Sequence, residues 1–219
     1  MFIFMCLWAS KYGKKFYMIT KFTGKGLWLT SDTHFGHKAI IELCNRPFTS
    51  IEEHDLNLIN NWNSKVGIDD TVFHLGDFCF GNAQKWREIR EQLNGHIILI
   101  LGNHDMRSMS QNMATLFDYV AQQMHVTVDG RRLYLNHFPF LTYAHGDPNI
   151  YNDDGLAYQA FGHVHSRQNN TGYDSGRLQY CYPTQYDVGV DNNNYSPISW
   201  DEFNNIILKQ IEKSKQNVD

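Results

Sequence analysis

The sequence predicts an α/β protein in which two β-sheets pack against each other with helices outside. The first half alternates short, continuous apolar runs with helical patterns, and such runs fit strands that are covered on both faces. The second half is mostly strand-like, and its stretch MHVTVDGRRLYLNH alternates apolar and polar residues around Asp129-Gly130. An Asp-Gly pair between alternating segments is typical of a tight β-hairpin.

Eight segments are predicted as strands from their apolar or alternating patterns. The first three are continuous apolar runs, which favours a layered α/β arrangement. The predicted strands are Leu27–Thr30, Thr71–Leu75, His96–Leu101, His125–Val128, Arg132–Asn136, Leu156–Phe161, Leu178–Tyr182 and Tyr186–Val190.

Three segments are predicted as helices, and each carries a start or stop signal. A Ser followed three residues later by Glu is a capping box, and two of the helices begin this way. The helices are predicted from Ser50 (with Glu53) to about Asn63, from about Asn82 to Leu93 before Asn94-Gly95, and from Ser199 (with Glu202) onward, with fraying after Lys213.

A chain of 219 residues favours one domain, which we place at residues 25–213, between an N-terminal extension (1–24) and a polar tail (214–219). The N-terminus is apolar first and basic afterwards, the reverse of a signal peptide. Its apolar run is also shorter than the roughly 20 residues that span a bilayer. We interpret it as an extra strand or a flexible lead, with Met18 as an alternative start of translation.

Charge and cysteine content narrow the class of protein. A net charge of −4 argues against a protein of long duplex DNA, which usually has a basic face, but it leaves small nucleotides open. The four cysteines are widely spaced and form no CxxC pair. They predict reduced thiols in a cytoplasmic protein, and neither a disulfide framework nor a thiolate zinc site.

Five apolar segments end in side chains that bind metals: LWLTSDTH, VFHLGD, IILILGNHD, LYLNH and LAYQAFGHVH. Each alone has an ordinary explanation, such as a turn Asp or a surface His. Together they favour a site at the carboxyl ends of strands, where α/β sheets present functional groups. The candidates are Asp32, His34, Asp77, Asn103, His104, Asp105, His137, His163 and His165.

The residue types indicate which metals would bind. Asp, Asn and His without thiolate suit borderline or hard divalent ions, with Mn favoured and Fe, Ni, Zn or Co as alternatives. Seven nitrogen and oxygen ligands are too many for one zinc ion and suit two metals. Paired metals roughly 3.5–4 Å apart drive phosphoryl hydrolysis.

In these residues the sequence resembles the calcineurin-like metallophosphoesterases. The family pattern of D-x-H, GD, GNHD, H and GHxH occurs in full and in order, between about Leu27 and Leu208. The phrases SDTHFGH, HLGDF, LILGNHD, NHFPF and VGVDNNNYSPIS resemble a small bacterial and phage subgroup. The resemblance implies a four-layer α/β/β/α sandwich of two mixed sheets flanked by helices, with the site at one edge.

The resemblance also implies a role for each candidate. A hydroxide that bridges the two metals would attack phosphorus in line. His104 would face the phosphate and protonate the leaving oxygen, and Asp105 would orient His104. The implied ligands are Asp32, His34 and His165 for the first metal, Asp77 for both, and Asn103, His137 and His163 for the second.

Five further residues lie close to these motifs in the sequence. His37, His74, Arg107 and Arg167 are candidates for contacts with the phosphate or with the ligands; Arg46 is a weaker candidate of the same kind. Asp187 stands where the subgroup often has Asn. It could add charge near the site or only cap a turn, and we favour the turn.

The function implied is a binuclear metal-dependent phosphoesterase. Because no separate cap domain is visible, an open cleft is expected, which favours a phosphodiester such as a nucleotide or another small substrate. The alternatives are a phosphomonoesterase, a metal-bound scaffold without catalysis, and an amide or ester hydrolase of another fold. We expect no membrane partner and a location in the cytoplasm of a bacterium or phage-infected host, and the oligomeric state stays open.

Overall fold

The computed structural model describes residues 6–10, 13–17, 21–152, 155–167, 171–172 and 174–216. Its described elements form two five-stranded sheets and one separate hairpin, with helices between the strands. The strands are β1 (Cys6–Ser10), β2 (Gly13–Tyr17), β3 (Lys21–Phe22), β4 (Leu27–Thr30), β5 (Thr71–His74), β6 (His96–Ile100), β7 (Tyr119–Ala121), β8 (Gln123–Val128), β9 (Arg131–Asn136), β10 (Ala157–Phe161), β11 (Gln185–Asp187) and β12 (Ile198–Ser199). The α-helices are α1 (Ala39–Leu43), α2 (Ile51–Asn63), α3 (Ala83–Arg90), α4 (Asn103–Ser108), α5 (Gln111–Ala114) and α6 (Trp200–Gln216).

Both large sheets contain parallel and antiparallel pairs. The first sheet has the order β12-β4-β5-β6-β7, in which β4 to β7 are parallel and β12 is an antiparallel edge. The second has the order β11-β10-β9-β8-β3, with an antiparallel β8–β9 pair. The two mixed sheets and their flanking helices confirm the predicted α/β sandwich.

Two apolar cores hold these layers together. The core between the sheets contains Leu29 and Phe73 from the first sheet and Leu133 from the second, all fully buried. α6 closes its edge by packing against β4, β11 and β12. The other core lies between the first sheet and α2 and α3, and it buries Trp62 and Trp86. Strands β4 to β6 are therefore covered on both faces, as their continuous apolar runs predict.

The Asp129-Gly130 hairpin is confirmed. Val128 pairs with Arg131, so the loop has two residues, and both have positive φ, 47° at Asp129 and 85° at Gly130. This conformation matches the twist of the flanking strands. The hairpin returns β9 beside β8 and so carries His137 back towards the first sheet.

The predicted helix starts are present, but one of the two capping boxes has a different hydrogen-bond partner. Ser199 and Glu202 form the full capping box, with Glu202 N–H donating to Ser199 Oγ and Ser199 N–H donating to the Glu202 carboxylate. Ser50 caps the Glu53 N–H as predicted, but the Glu53 carboxylate accepts from Thr49 instead of Ser50. The last helix continues to Gln216, past Lys213 where fraying was predicted, because Ile211 anchors it in the core.

Two strand predictions were wrong in the second half. Residues 178–182 were predicted as a strand, but Ser175–Tyr180 is a 3-10 helix without a buried residue, so no core face holds it in a sheet. The predicted strand Tyr186–Val190 is displaced to Gln185–Asp187, because the Asp187 carboxylate accepts the Gly189 N–H and turns the chain. The second sheet also begins at β3, before residue 25, the predicted start of the domain.

Candidate metal centre

The metal-binding residue types converge at the edge where strands β4, β5 and β6 end. Because these strands are parallel and in register, the loops that follow them lie side by side. Backbone hydrogen bonds join the loops: Asp32 N–H donates to Gly76 O at 2.9 Å, and His34 N–H donates to Asp77 O at 3.0 Å. The ends of β9 and β10 meet there too, where Gly162 N–H donates to His137 O at 2.9 Å. All five motifs therefore contribute to one site.

Asp32, His34 and His165 form the first cluster that could hold a metal ion. The Asp32 Oδ1 atom lies 3.9 Å from His34 Nε2 and 3.8 Å from His165 Nε2. Asp32 Oδ1 and His34 Nε2 are buried and form no hydrogen bond in the described part of the chain. Buried polar atoms normally have a partner, so a cation between these atoms fits them.

Asp77 and His137 lie in the second cluster, next to the first and sharing Asp32 with it. The Asp77 Oδ2 atom is 3.5 Å from His34 Nε2 and 3.6 Å from His137 Nε2, so this carboxylate faces both clusters. Asn103 Oδ1 is 3.1 Å from His137 Nε2. The ring of His137 is held through Nδ1, which donates to Leu75 O at 2.7 Å and leaves Nε2 free to bind an ion.

His163 lies at the rim of the second cluster. Its backbone N–H donates to Asp32 Oδ2 at 2.9 Å, and its ring centroid is 5.1 Å from that of His137. Burial, followed by the nearby His137, lowers the pKa of His163 to about 4. A neutral imidazole is the form that binds metals.

Residues of the site share an unusual backbone conformation. Non-glycine residues rarely have positive φ, although Asp, Asn and His adopt it most readily. Such conformations cluster at functional sites, where the surrounding structure holds them. The left-handed residues of the site are Asp32 (φ 56°), His34 (51°), Asp77 (54°), His163 (71°) and His165 (44°).

The electrostatics of the site favour a bound cation. Burial raises the pKa of Asp32, and the nearby His165 only partly offsets that rise. Burial likewise raises the pKa of Asp77, and the nearby Asp32 carboxylate adds to that effect. Two buried carboxylates are costly when ionised without a partner, and divalent ions would balance them.

Contrary to the prediction, the hydrogen bonds of the Asp105 carboxylate within the described part of the chain do not go to the His104 ring. Both carboxylate oxygens accept backbone N–H groups instead: Oδ2 from Asp77 at 2.7 Å and Gly102 at 3.0 Å, and Oδ1 from Phe78 at 3.0 Å. Asp105 is the third residue of α4, where a carboxylate accepts free amides at the helix start. It therefore ties the loop after β5 to the loop after β6.

His104 and His37 lie on the open side of the clusters. The side chain of His104 is 37% exposed, and its Nε2 is 3.8 Å from Asp77 Oδ2. His37 Nδ1 is 3.1 Å from His34 Nδ1, and its ring stacks on Phe80 with a centroid distance of 3.8 Å. Burial, followed by the nearby His104, lowers the pKa of His37 to about 4. The structure thus brings His37 to the site, as predicted.

His74 is fully buried behind the site. Its Nδ1 accepts the Gly76 N–H at 3.2 Å, so Nε2 carries the proton and donates to Thr33 Oγ1 at 2.9 Å. Thr33 Oγ1 donates in turn to Phe78 O at 2.8 Å. His74 therefore holds the loops after β4 and β5 together from their buried side.

The structure reverses the predicted ranking of the three arginines as candidates for contacts at the site. Arg107 is exposed at the end of α4, and Arg167 donates to Asn45 O at 3.5 Å. Neither arginine belongs to the described residues that line the cleft beside the clusters. Arg46, the weaker candidate, is buried and donates to the carbonyl oxygens of Asp32 and Thr33. Its partner Asp191 was missed, although it lies in the quoted phrase VGVDNNNYSPIS. Asp187 is a turn residue as predicted, because it accepts from Ser166 and Gly189.

The clusters open into a cleft of about 400 Å³. Among the described residues that line it, none is Lys or Arg, and Ile40 and Leu43 give it one apolar wall. The lining residues are His34, His37, Ile40, Leu43, Cys44, Asp77, Asn103, His104, His163, His165 and Asp174.

Comparison with known proteins identifies the family. The family model described as the calcineurin-like phosphoesterase superfamily domain matches residues 27–183. An uncharacterized protein of Methanocaldococcus jannaschii is 34% identical over 193 residues, which cover 86% of this chain and 93% of that protein. The Gene 66 protein of Mycobacterium phage D29 is 32% identical over 185 residues, which cover 75% of this chain and 87% of that protein.

One solved structure has the same fold. It is the crystal structure of a protein of unknown function from Aquifex aeolicus, with a TM-score of 0.60 and 25% sequence identity. The match covers 82% of this chain and 98% of the other.

Proposed function

Because the chain belongs to the calcineurin-like phosphoesterase superfamily, we propose that it is a binuclear metal-dependent phosphodiesterase of nucleotides or other small diesters. Family membership implies divalent metal ions, with Mn as our favoured choice. The observation that carries the proposal is the pair of buried atoms Asp32 Oδ1 and His34 Nε2, which form no hydrogen bond with any described residue and face His165 and Asp77. Such a cluster beside an open cleft fits metal-assisted hydrolysis.

We assign the metal ligands by cluster. When bound, two divalent ions would lower the pKa of a water nucleophile and neutralise the phosphoryl oxygens. The Asp77 carboxylate faces both positions, and the buried hydrogen bonds of His137 and the Asp32 loop fix the ligand atoms. The first position takes Asp32, His34 and His165, the second takes Asn103, His137 and His163, and Asp77 serves both.

His104 is the proposed acid. Its backbone N–H donates to Asp77 Oδ1 at 3.0 Å, and its ring lies 4.7 Å from that of Phe80, centroid to centroid. The imidazole is therefore held between the metal-binding carboxylate and solvent. From this position Nε2 can donate to a phosphoryl oxygen and protonate the departing oxygen.

The charge of the cleft favours a diester over a monoester. A phosphomonoester carries a second negative charge at neutral pH, since its second pKa is about 6. The described lining residues include no Lys or Arg, so the metal ions alone would have to balance that second charge. A diester carries one negative charge and a second organic group, for which the exposed side chain of Leu43 offers an apolar contact.

A hydrolysis assay on metal-stripped protein reloaded with Mn, Ni or Zn tests the proposal. We expect metal-dependent hydrolysis of bis-p-nitrophenyl phosphate in preference to p-nitrophenyl phosphate. His104→Ala should lower kcat by roughly 10²–10⁴-fold, as for other general acids. His96→Ala, a substitution of an exposed histidine at the opposite end of β6, is the matched control.

Other outcomes would select an alternative. Turnover confined to the monoester would make the protein a phosphomonoesterase. Two bound metals without turnover of either substrate would favour a scaffold. Hydrolysis of p-nitrophenyl acetate but neither phosphate ester would favour an acyl hydrolase.

We also propose that the protein works in the cytoplasm of a bacterium or phage-infected host. Its phage relatives support this, as do the free thiols of Cys44, Cys79 and Cys181 among the described residues. No helix in the described ranges is long and apolar enough to cross a bilayer. Recovery of the native protein in a membrane or periplasmic fraction would contradict this location.

A further inference from the structure

The ligand candidate His165 is held by a buried ion pair outside the two clusters. His165 Nδ1 donates to Asp191 Oδ2 at 2.7 Å. Both oxygens of Asp191 also accept from Arg46, Oδ1 from Nε at 2.9 Å and Oδ2 from Nη2 at 2.7 Å. The side chains of Arg46 and Asp191 are fully buried. A bidentate pair of this kind fixes orientation as well as charge.

The same guanidinium also holds the first ligand loop. Arg46 Nη2 donates to Asp32 O at 2.8 Å, and Nη1 donates to Thr33 O at 3.0 Å. These carbonyls belong to the segment in which Asp32 and His34 adopt positive φ. One side chain thus touches the backbone between two ligands and, through Asp191, the imidazole of a third.

The Arg46 guanidinium also donates to a buried histidine, His54. Its Nη1 is 2.7 Å from His54 Nε2, which must accept because a guanidinium only donates. His54 Nδ1 then donates to Asp55 Oδ1 at 3.0 Å. Asp55 in turn accepts from the Gly36 N–H and from Lys85. Arg46 is therefore anchored from both ends.

A third metal site in this place fits less well. The ligand atoms of Cys44, His165 and Asp191 lie within 4.8 Å of one another. However, Arg46 already occupies both oxygens of Asp191, and its positive charge opposes a cation there. The Nδ1 proton of His165 is also engaged with Asp191. These atoms orient a ligand better than they bind a further ion.

We propose that Asp191 and Arg46 are positioning residues that set the affinity of the first metal position. Asp191 fixes the His165 tautomer so that the lone pair of Nε2, 3.8 Å from Asp32 Oδ1, would be available to an ion in the first position. Arg46 holds Asp191 and the Asp32–Thr33 backbone in one arrangement. The inference rests on the metal ligation of the proposed function, although not on hydrolysis. Hydrogen-bond partners of metal-bound histidines contribute in this way elsewhere.

Mn²⁺ titration calorimetry of the metal-stripped full chain tests this inference. The variants are Asp191→Asn and Arg46→Lys, which keep the side-chain size but lose the bidentate pair. Asp70→Asn is the first control, because Asp70 accepts from Trp28 Nε1 and Gly67 N–H away from the site. Arg90→Lys is the second control, because Arg90 donates to the carbonyls of Leu93 and Gly95. The Tm of each metal-free variant reports any general loss of stability.

We expect Asp191→Asn and Arg46→Lys each to weaken one of two Mn²⁺ binding steps by about 10–100-fold, as for other histidine partners in metal sites. The other step should keep its affinity, and both controls should bind as the unaltered protein does. The double variant should be no weaker than the weaker single variant, since the two residues act as one unit.

Unaltered affinity for both ions in Asp191→Asn would overturn the inference, and a lowered metal-free Tm would then show a purely structural role. If Arg46→Lys does not fold, Asp191→Asn decides the outcome. An unaltered protein that binds no Mn²⁺ would overturn both the inference and the proposed function. Binding of two ions without hydrolysis would contradict the proposed function alone, because the titration measures affinity and not turnover.

Discussion

The Asp105 carboxylate accepts a hydrogen bond from the backbone N–H of Asp77 at 2.7 Å, across the gap between the two central ligand loops. Its other partners are the backbone N–H groups of Phe78 and Gly102. Asp105 thus fixes the position of the carboxylate that faces both clusters. Burial raises the pKa of Asp105 to about 7, and these amides partly offset that rise.

The first prediction concerns Asp105→Asn. An Asn amide would turn an N–H towards backbone donors, so we expect unfolding free energy to fall by about 1–3 kcal/mol. Mn²⁺ affinity should fall with it, because Asp77 loses its support. Urea unfolding and Mn²⁺ titration measure both effects. Asp118→Asn is the control, since Asp118 accepts from Ile97 N–H at the opposite end of β6. A variant with lowered kcat but unaltered stability and Mn²⁺ affinity would restore the predicted role of orienting His104.

The second prediction concerns the close contact of Gly102 with Asp77. A Cβ at Gly102 would lie 2.2 Å from Asp77 Oδ1 and 2.5 Å from Asp77 N. Gly102→Ala should therefore displace the shared carboxylate and reduce the number of Mn²⁺ ions bound per chain. Gly176→Ala is the control, because a Cβ there meets nothing within 4 Å. Equal Mn²⁺ binding by the two variants would contradict the geometry of the site.

The third prediction is a pH dependence of stability caused by His74. Burial, followed by the nearby His137, lowers the pKa of His74 from 6.5 to about 3. The unfolded chain therefore binds a proton near pH 6.5 that the folded chain binds only near pH 3. The stability contributed by neutral His74 is complete above pH 6.5 and is lost as the pH falls towards 3.

Removal of His74 should flatten this dependence. In metal-free protein between about pH 6 and 4, His74→Gln should reduce the slope of unfolding free energy by about 1.4 kcal/mol per pH unit, the value for one proton. The absolute stability of this variant will also fall, because Gln loses the ring contacts that His74 makes with Trp62 and Phe78. His96→Gln, at an exposed histidine, is the control. Parallel pH profiles for His74→Gln and the unaltered protein would refute this prediction.

The convergence of the candidate ligands could be predicted from sequence because a strand end is a local feature. Asp32, His34 and Asp77 each follow a continuous apolar run, and parallel pairing brings such ends together. Asp105 was misassigned because its neighbour in sequence, His104, was taken as its neighbour in space. Its place as the third residue of a helix after Gly102 was the signal for backbone contacts.

The pairing of Arg46 with Asp191 could not be predicted because the two residues are distant in sequence. Arg46 and Asp191 are separated by 145 positions, and only the packed fold brings them together. No periodicity marks either residue, since Arg46 lies in a loop and Asp191 lies within a single 3-10 turn, Val190–Asn192. The 3-10 helix Ser175–Tyr180 was missed for a related reason: its apolar letters resemble a strand, but none of its residues is buried.

The fourth prediction is that Mn²⁺ binding releases protons and weakens as the pH falls. Burial raises the pKa of both Asp32 and Asp77, so protons compete with an ion for these carboxylates at a higher pH than they would at free carboxyl groups. Calorimetry in buffers of different ionisation enthalpy measures the protons released per ion. Asp70→Asn, remote from the site, should release as many protons as the unaltered protein. Binding that is independent of pH between 5 and 8 would contradict the assignment of these carboxylates.

The number of metal ions bound per chain is the most direct test of the proposed binuclear centre. Metal-stripped protein is dialysed against Mn²⁺ and measured by inductively coupled plasma mass spectrometry, with an Asp32→Ala, His34→Ala, His165→Ala triple variant beside it. We expect two ions per unaltered chain and fewer in the triple variant. A count of zero, or equal counts in the two proteins, would contradict a binuclear centre built on these residues.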